Sequence, residues 1–90
     1  MNEHTEAVDY LFDAILSLKS KEECYHFFED LCTVKELQSM AQRMEVARML
    51  KEKKTYAEIA GKTGASTVTI SRVNRILSQG TGSLNRLIDK

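Results

Sequence analysis

The sequence predicts an all-α fold of six helices, and three observations support this prediction. The 90 residues include no proline and four glycines, so little in the chain interrupts a helix. Apolar side chains recur at intervals of three and four residues, and no segment has the pattern of a credible strand. The length indicates one domain (residues 1–90), and the 42% of apolar residues is typical of globular rather than disordered proteins.

The first two helices are predicted from apolar spacing and from a capping signal. Acidic residues suit the positive end of the first helix, namely Glu3, Glu6 and Asp9. Its apolar face is formed by Val8, Leu11, Phe12, Ile15 and Leu18. Ser20 followed by Glu23 has the form of a capping box that opens the second helix. The inward positions of that helix are predicted to be Cys24, Phe27, Phe28 and Leu31.

A capping box of Thr33 and Glu36 opens a long third helix that is apolar over a wide arc. Its apolar residues are Leu37, Met40, Ala41, Met44, Val46, Ala47, Met49 and Leu50. A helix this broad in its apolar face is buried on more than one side, and a chain this short is helped by a second copy that completes its core. Cations at the end of this helix suit its dipole, namely Lys51, Lys53 and Lys54.

The segment from Thr55 to Gly80 has the pattern of a helix-turn-helix. A capping box of Thr55 and Glu58 opens a short fourth helix, in which Ala60 provides the small residue that crossing helices need. Gly64 ends this helix in a turn that requires a positive φ, and the fifth helix runs from about Ser66 to Ser78 until Gly80 stops it. Ser83 is predicted to cap a last short helix that turns Leu84, Leu87 and Ile88 inward.

The fifth helix has two distinct faces. Its inner stripe is predicted to be Ala65, Ile70 and Val73, opposed by Ile59. The outer face carries Ser66, Thr67, Val68, Ser71, Arg72 and Arg75. Short hydrogen-bonding side chains at the helix start, followed by arginines, suit the entry of a recognition helix into the major groove of DNA. Thr63 departs from the pattern, because an apolar residue is more usual there.

A charge asymmetry supports this interpretation. Residues 1–33 carry eight acids and two bases, whereas residues 34–90 carry five acids and eleven bases. No acid lies between Glu58 and Asp89. The sequence therefore predicts binding to double-stranded DNA. The alternatives are a helical module that binds a protein partner and an RNA-binding regulator.

Several other classes of protein do not fit the sequence. It has no apolar run near the roughly 20 residues of a membrane span, and its N-terminus lacks the pattern of a signal peptide. Cys24 and Cys32 would lie about 12 Å apart on a helix, too far for a disulfide, which favours the cytoplasm. His4 and His26 have no partners at metal-ligand spacing, and no nucleophile–base pair is evident. We expect no metal, cofactor or catalytic activity.

With these motifs assembled, the chain resembles the tryptophan repressor superfamily, and most closely its YerC/YecD-type branch. The strongest segment runs from Gln42 to Arg75, and the stretch GASTVTISR from Gly64 to Arg72 resembles the repressor's turn and recognition helix. The resemblance extends from about Leu11 to Ile88. It implies an intertwined homodimer with a core of about residues 5–52 and 83–89, from which the helix-turn-helix at about residues 55–79 projects.

The resemblance also implies roles for individual residues. The base-contacting positions fall on Thr67, Val68 and Ser71, within a DNA-binding set of Thr55, Tyr56, Lys62, Ser66, Thr67, Val68, Ser71, Arg72 and Arg75. The amino-acid corepressor pocket corresponds to Arg43, Thr69, Arg72, Val73 and Ile76. Val73 replaces a pocket glycine and Ile76 a pocket serine. Because they are three residues apart, both are predicted to lie on the inner side of the fifth helix, where their bulk would occupy the space that an indole needs. We therefore expect a homodimeric repressor that does not require L-tryptophan and whose effector, if it has one, is of another kind.

Overall fold

The computed structural model describes residues 4–89 and, in that range, contains six α-helices and no strand. The helices are α1 (Glu6–Leu16), α2 (Lys21–Leu31), α3 (Val34–Lys51), α4 (Tyr56–Thr63), α5 (Thr67–Gln79) and α6 (Ser83–Ile88). The predicted all-α class and the number of helices are confirmed. Glu3, one of the acids assigned to the first helix, lies outside the described residues. No helix in residues 4–89 has the length and apolar character needed to cross a bilayer.

Two predicted capping boxes are fully formed. The Thr33 hydroxyl accepts the Glu36 N–H at 3.1 Å, and the Glu36 carboxylate accepts the Thr33 N–H at 2.8 Å. Thr55 and Glu58 exchange the same two bonds at 3.1 and 2.9 Å. The pKa of each glutamate is lowered by its capping threonine. The largest cause is the hydrogen bond from the threonine backbone N–H, and the second is the hydrogen bond with the threonine side chain. The stabilisation that each carboxylate provides is thus complete above the ordinary pKa of about 4.3, and it is lost as the pH falls through the lowered value.

The box predicted at the start of α2 is only half formed. The Ser20 hydroxyl accepts the Glu23 N–H at 3.1 Å, as predicted. The Glu23 carboxylate, however, accepts the N–H of Lys19 at 2.8 Å rather than that of Ser20. The start of α1 also has a cap that was not predicted, because the Thr5 hydroxyl accepts the Val8 N–H at 3.2 Å.

The predicted cap at the start of α6 is wrong. Ser83 is the first residue of the helix, and the capping position is Gly82, whose φ of +89° is left-handed and which has no side chain to bond. The Ser83 N–H instead donates to the Thr81 hydroxyl at 3.3 Å. A glycine in this conformation moves the helix start one residue earlier than a serine cap would place it.

The end of α3 turns the chain into α4 through a left-handed residue. Lys53 has a φ of +65°, and its N–H donates to the Leu50 carbonyl at 3.0 Å. The Lys54 N–H reaches back to the Met49 carbonyl at 3.1 Å. These two bonds form a Schellman motif, which satisfies carbonyls that the helix end leaves open. Glycine is the usual residue at this position, so no sequence pattern indicates the motif here.

The chain divides into two compact units, one up to Leu37 and one from Gln38 onward. In the first unit, neither α1 nor α2 contains a buried residue. The Phe27 and Phe28 rings contact each other edge to face, with centroids 5.1 Å apart. Two of the positions predicted to face inward, Phe12 and Leu31, remain more than half exposed in the single chain. The apolar faces of these helices are thus only partly covered, since their other predicted inward positions are half-buried rather than buried.

The buried core lies in the second unit and joins three helices. Its residues are Val46, Ala47, Met49, Ile59, Ala65, Ile70 and Val73. Partly buried side chains pack against it, namely Leu50, Ala60, Leu77 and Ile88. The predicted inner stripe of the fifth helix and its contact partner Ile59 are confirmed. On α3, the strip of Val46 and Met49 is buried, whereas Met40 and Met44 stay exposed.

Two polar contacts attach α6 to this unit. The Lys51 ammonium lies 3.3 Å from the carboxylate of Asp89, which directly follows α6. The Asn85 side-chain amide donates to the Leu77 carbonyl at 2.7 Å. The last helix is therefore bonded both to the end of α3 and to the final turns of α5.

Two glycines three residues apart should respond oppositely to the same substitution. An added Cβ would meet nothing within 4 Å at either Gly61 or Gly64, but Gly61 lies inside α4 whereas Gly64 has a φ of +73°. We expect Gly61→Ala to raise the free energy of unfolding by up to about 1 kcal/mol, because alanine favours a helix. Gly64→Ala should lower it by about 1–2 kcal/mol, the cost of a left-handed residue with a Cβ. Urea denaturation at one protein concentration measures both variants, and effects of the same sign would contradict these conformational roles of the two glycines.

Candidate nucleic-acid interface

The turn between α4 and α5 is held by a hydroxyl as well as by a glycine. α4 packs against α5, and the N–H of Gly64 donates to the Ala60 carbonyl at 2.9 Å. The Thr63 hydroxyl donates to the Ile59 carbonyl at 2.7 Å and accepts the Ala65 N–H at 3.1 Å. Thr63 therefore departs from the usual apolar residue without leaving an unsatisfied group, because its hydroxyl bridges the end of α4 to the start of the turn.

The same turn is also bonded from α3. The side-chain amide of Gln42 donates to the main-chain carbonyl of Thr63 at 3.1 Å, in a half-buried position. The two residues are 21 positions apart. Sequence reasoning did not identify this contact, since a glutamine on a helix gives no sign of which distant carbonyl it will reach.

The start of α5 is fixed by Ser66. Its hydroxyl accepts the Thr69 N–H at 3.2 Å and also donates to the Thr69 hydroxyl at 3.2 Å. This cap leaves the next two side chains free of the helix end, and Val68 is 76% exposed. The first turn of α5 thus presents Thr67 and Val68 outward on a well-anchored backbone.

The two faces of α5 differ as the sequence predicts. Ile70 and Val73 are buried, whereas Ser71, Arg72 and Arg75 are exposed. Every residue of the predicted DNA-binding set is exposed, namely Thr55, Tyr56, Lys62, Ser66, Thr67, Val68, Ser71, Arg72 and Arg75. Each of these side chains is therefore accessible to a ligand from solvent.

The positively charged side chains of the predicted DNA-binding set form no ion pairs with acidic side chains in the described part of the chain. Among residues 4–89, the ion pairs within 4 Å involve Arg48, which contacts Glu45 and Glu52, and Lys51, which contacts Asp89. The hydrogen bond that Arg48 donates to the Glu45 carboxylate, followed by the negative charges of Glu45 and Glu52, raises the pKa of Arg48. Lys62, Arg72 and Arg75 take part in none of these pairs, so their charges are available to phosphates.

The residues that correspond to a corepressor pocket have different environments. Arg43 is exposed, and its Nε donates at 3.4 Å to the Ser39 carbonyl of its own helix. The Thr69 hydroxyl is engaged by the cap of α5. Val73 is 2% exposed and belongs to the core, as predicted. Ile76 is 41% exposed, so the prediction that it shares the inner side with Val73 is wrong within one chain. Three residues along a helix leave about 60° between side chains, enough to move Ile76 to the margin of the buried face.

The remaining site predictions concern thiols and metals. Cys24 and Cys32 are both free thiols and half-buried. No group of three or more His, Cys, Asp or Glu side chains within residues 4–89 is arranged to hold a metal ion.

Comparison with known proteins connects this geometry to one family. The sequence model of the family described as "Trp repressor protein" matches residues 6–90. The uncharacterized protein YerC of Bacillus subtilis (strain 168) is 58% identical over 83 residues, which are 92% of this chain and 80% of YerC.

Two solved structures are similar to this chain over most of its length. A TrpR-like protein from Eubacterium eligens ATCC 27750 matches with a TM-score of 0.93 and 57% identity, covering 96% of this chain and 89% of its own. A candidate Trp repressor from Staphylococcus aureus matches with a TM-score of 0.91 and 53% identity, covering 96% and 86%. The resemblance predicted from the sequence is confirmed, and the chain belongs to the Trp repressor family.

Proposed function

We propose that this protein is a sequence-specific DNA-binding transcriptional regulator that represses by occluding a promoter. The observation that carries this proposal is the two-sided character of α5, with Ile70 and Val73 buried and Thr67, Val68 and Ser71 exposed. A helix held rigidly on one side and polar on the other is the form in which helix-turn-helix proteins read the major groove. The Trp repressor family is a family of regulators rather than of enzymes. The proposed place of action is the cytoplasm.

The exposed residues divide into two roles under this proposal. Thr67 and Ser71 offer hydroxyls that donate to or accept from base edges, and the exposed methyl groups of Val68 suit a thymine methyl. Lys62 and Arg75 are exposed and hold phosphates, as do Lys53 and Lys54 in the turn that follows α3. Phosphate contacts fix the register on the duplex, whereas base contacts specify its sequence.

A homodimer is part of the same proposal. The single chain leaves large apolar side chains on α1 and at the start of α3 in water, with Leu16 83% exposed and Tyr10 and Val34 also exposed. Apolar surface of this extent on a small domain favours a partner, and two identical chains supply one with two-fold symmetry. The operator would then be a near-palindrome whose half-sites are read about 34 Å apart.

Sedimentation equilibrium tests the dimer. We expect a dimer at low micromolar concentration, and Leu16→Gln should weaken it by about tenfold or more, because it removes a side chain whose burial is worth roughly 1.5–3 kcal/mol. Lys19→Gln is the matched control, since it places the same side chain at a nearby exposed position without removing apolar surface. A wild-type monomer that remains folded at these concentrations would refute the dimer.

Mobility-shift titration tests DNA binding and the two roles together. Wild-type protein should bind duplexes with an affinity that falls steeply as salt rises. Arg75→Ala should weaken binding to all sequences alike and reduce the salt slope by about one unit. Thr67→Ala should alter the preferred sequence, at about 1–3 kcal/mol per lost base contact.

Asn74→Ala serves as the control, being exposed on α5 but outside the predicted contact set. An unchanged consensus for Thr67→Ala, obtained by selection from a random duplex pool, would show that this face of α5 does not read bases. Failure to bind any duplex would favour the helical module that binds a protein. Equal competition by duplex RNA would favour an RNA-binding regulator, because the narrow major groove of A-form RNA does not admit a helix.

We further propose that DNA binding does not require L-tryptophan. Val73 fills its position in the core, and the Thr69 hydroxyl is already bonded within the chain. Calorimetric titration with L-tryptophan should show no saturable binding, and operator affinity should be the same with and without it. A tenfold gain in DNA affinity on adding L-tryptophan would represent about 1.4 kcal/mol of coupling and would overturn this proposal.

A further inference from the structure

We propose that Gln42 is a positioning residue for DNA binding, because its side chain holds the turn between α4 and α5 and thereby directs the first turn of α5. This inference rests on the proposed function. It assigns to α3 a specific contact that keeps the recognition helix at a fixed angle without any bound ligand.

The Gln42 side chain donates to a carbonyl that the end of α4 would otherwise leave without a partner. Thr63 is the last residue of α4, and carbonyls in the last turn of a helix have no partner within that helix. The Gln42 amide supplies a donor to the Thr63 carbonyl at 3.1 Å, half-buried and therefore little weakened by competition from water. The bonded carbonyl lies three residues before Ser66, the cap of α5.

A buried apolar contact lies on the same face of α3 as Gln42. Val46, one helical turn further along, is fully buried in the core with Ile59 and Ile70. Apolar burial is not directional, so this contact alone would allow the hairpin of α4 and α5 to rock on α3. A hydrogen bond is directional, and a second point of attachment at the turn restricts that motion.

The expected consequence of losing the bond is a loss of preorganisation. Without the Gln42 bond, the first turn of α5 samples more orientations, and binding must select the competent ones. Base and phosphate contacts in the bound state are unchanged. The affinity therefore falls, but the preferred sequence and the salt slope do not.

The first experiment measures binding of Gln42→Ala to a duplex that the wild-type protein selects from a random pool. We expect an affinity about threefold to tenfold weaker, the range for one lost hydrogen bond, with the same consensus and salt slope. Gln38→Ala is the matched control, because Gln38 lies one turn earlier on α3, is exposed, and makes no side-chain hydrogen bond in the described part of the chain. All proteins are compared at a temperature where circular dichroism shows them fully folded.

A second variant separates positioning from general destabilisation. Gln42→Met keeps the length of the side chain and still fills the half-buried position, but it has no N–H to donate to a carbonyl. We expect Gln42→Met to fold cooperatively and to weaken binding as Gln42→Ala does, with the same consensus and the same salt slope.

The outcomes are distinguishable. Wild-type protein that binds no duplex would overturn the proposed function and this inference with it. Wild-type protein that binds a duplex, together with a folded Gln42→Ala of equal affinity, would overturn the role of Gln42 alone. If Gln42→Ala does not fold, Gln42→Met decides, and a folded Gln42→Met that binds the duplex as tightly as wild type would refute the inference.

Discussion

The direction of α5 depends on four apolar side chains that bury one another, namely Val46 from α3, Ile59 from α4, and Ile70 and Val73 from α5. Burying one such side chain stabilises the fold by roughly 1.5–3 kcal/mol, a large share of the 5–15 kcal/mol that typically separates native from unfolded protein. Because the inner face of α5 provides this burial, its outer face is not needed for packing. The residues proposed to read DNA can therefore change without cost to the core.

Much of this arrangement could be predicted because its signals are local. The two complete capping boxes need only a threonine and a glutamate three residues apart, and the turn at Gly64 needs a residue that tolerates a positive φ. The inner stripe of α5 follows from helical periodicity, since Ile70 and Val73 lie on one face. Each signal fixes its feature within a few residues, whatever the rest of the chain does.

The features that the sequence did not reveal depend on distant contacts or on uncommon residues. Lys53 has a left-handed backbone conformation at a position where glycine is usual, so no sequence pattern predicted the turn there. Ile76 lies at the edge of the buried face, where a difference of about 60° decides between core and solvent. Gln42 reaches a carbonyl 21 residues away, and only the packing of α3 against the hairpin determines that distance.

The group that Gln42 bonds has a consequence for how this family can vary. The acceptor is the main-chain carbonyl of Thr63, which every amino acid possesses, whereas the donor is a side chain. Selection that preserves the bond would constrain position 42 to residues with a donor of suitable reach and would leave position 63 free. Evolution could then exchange Thr63 for the more usual apolar residue in a single step, giving up the two hydroxyl bonds but not the attachment of the turn to α3.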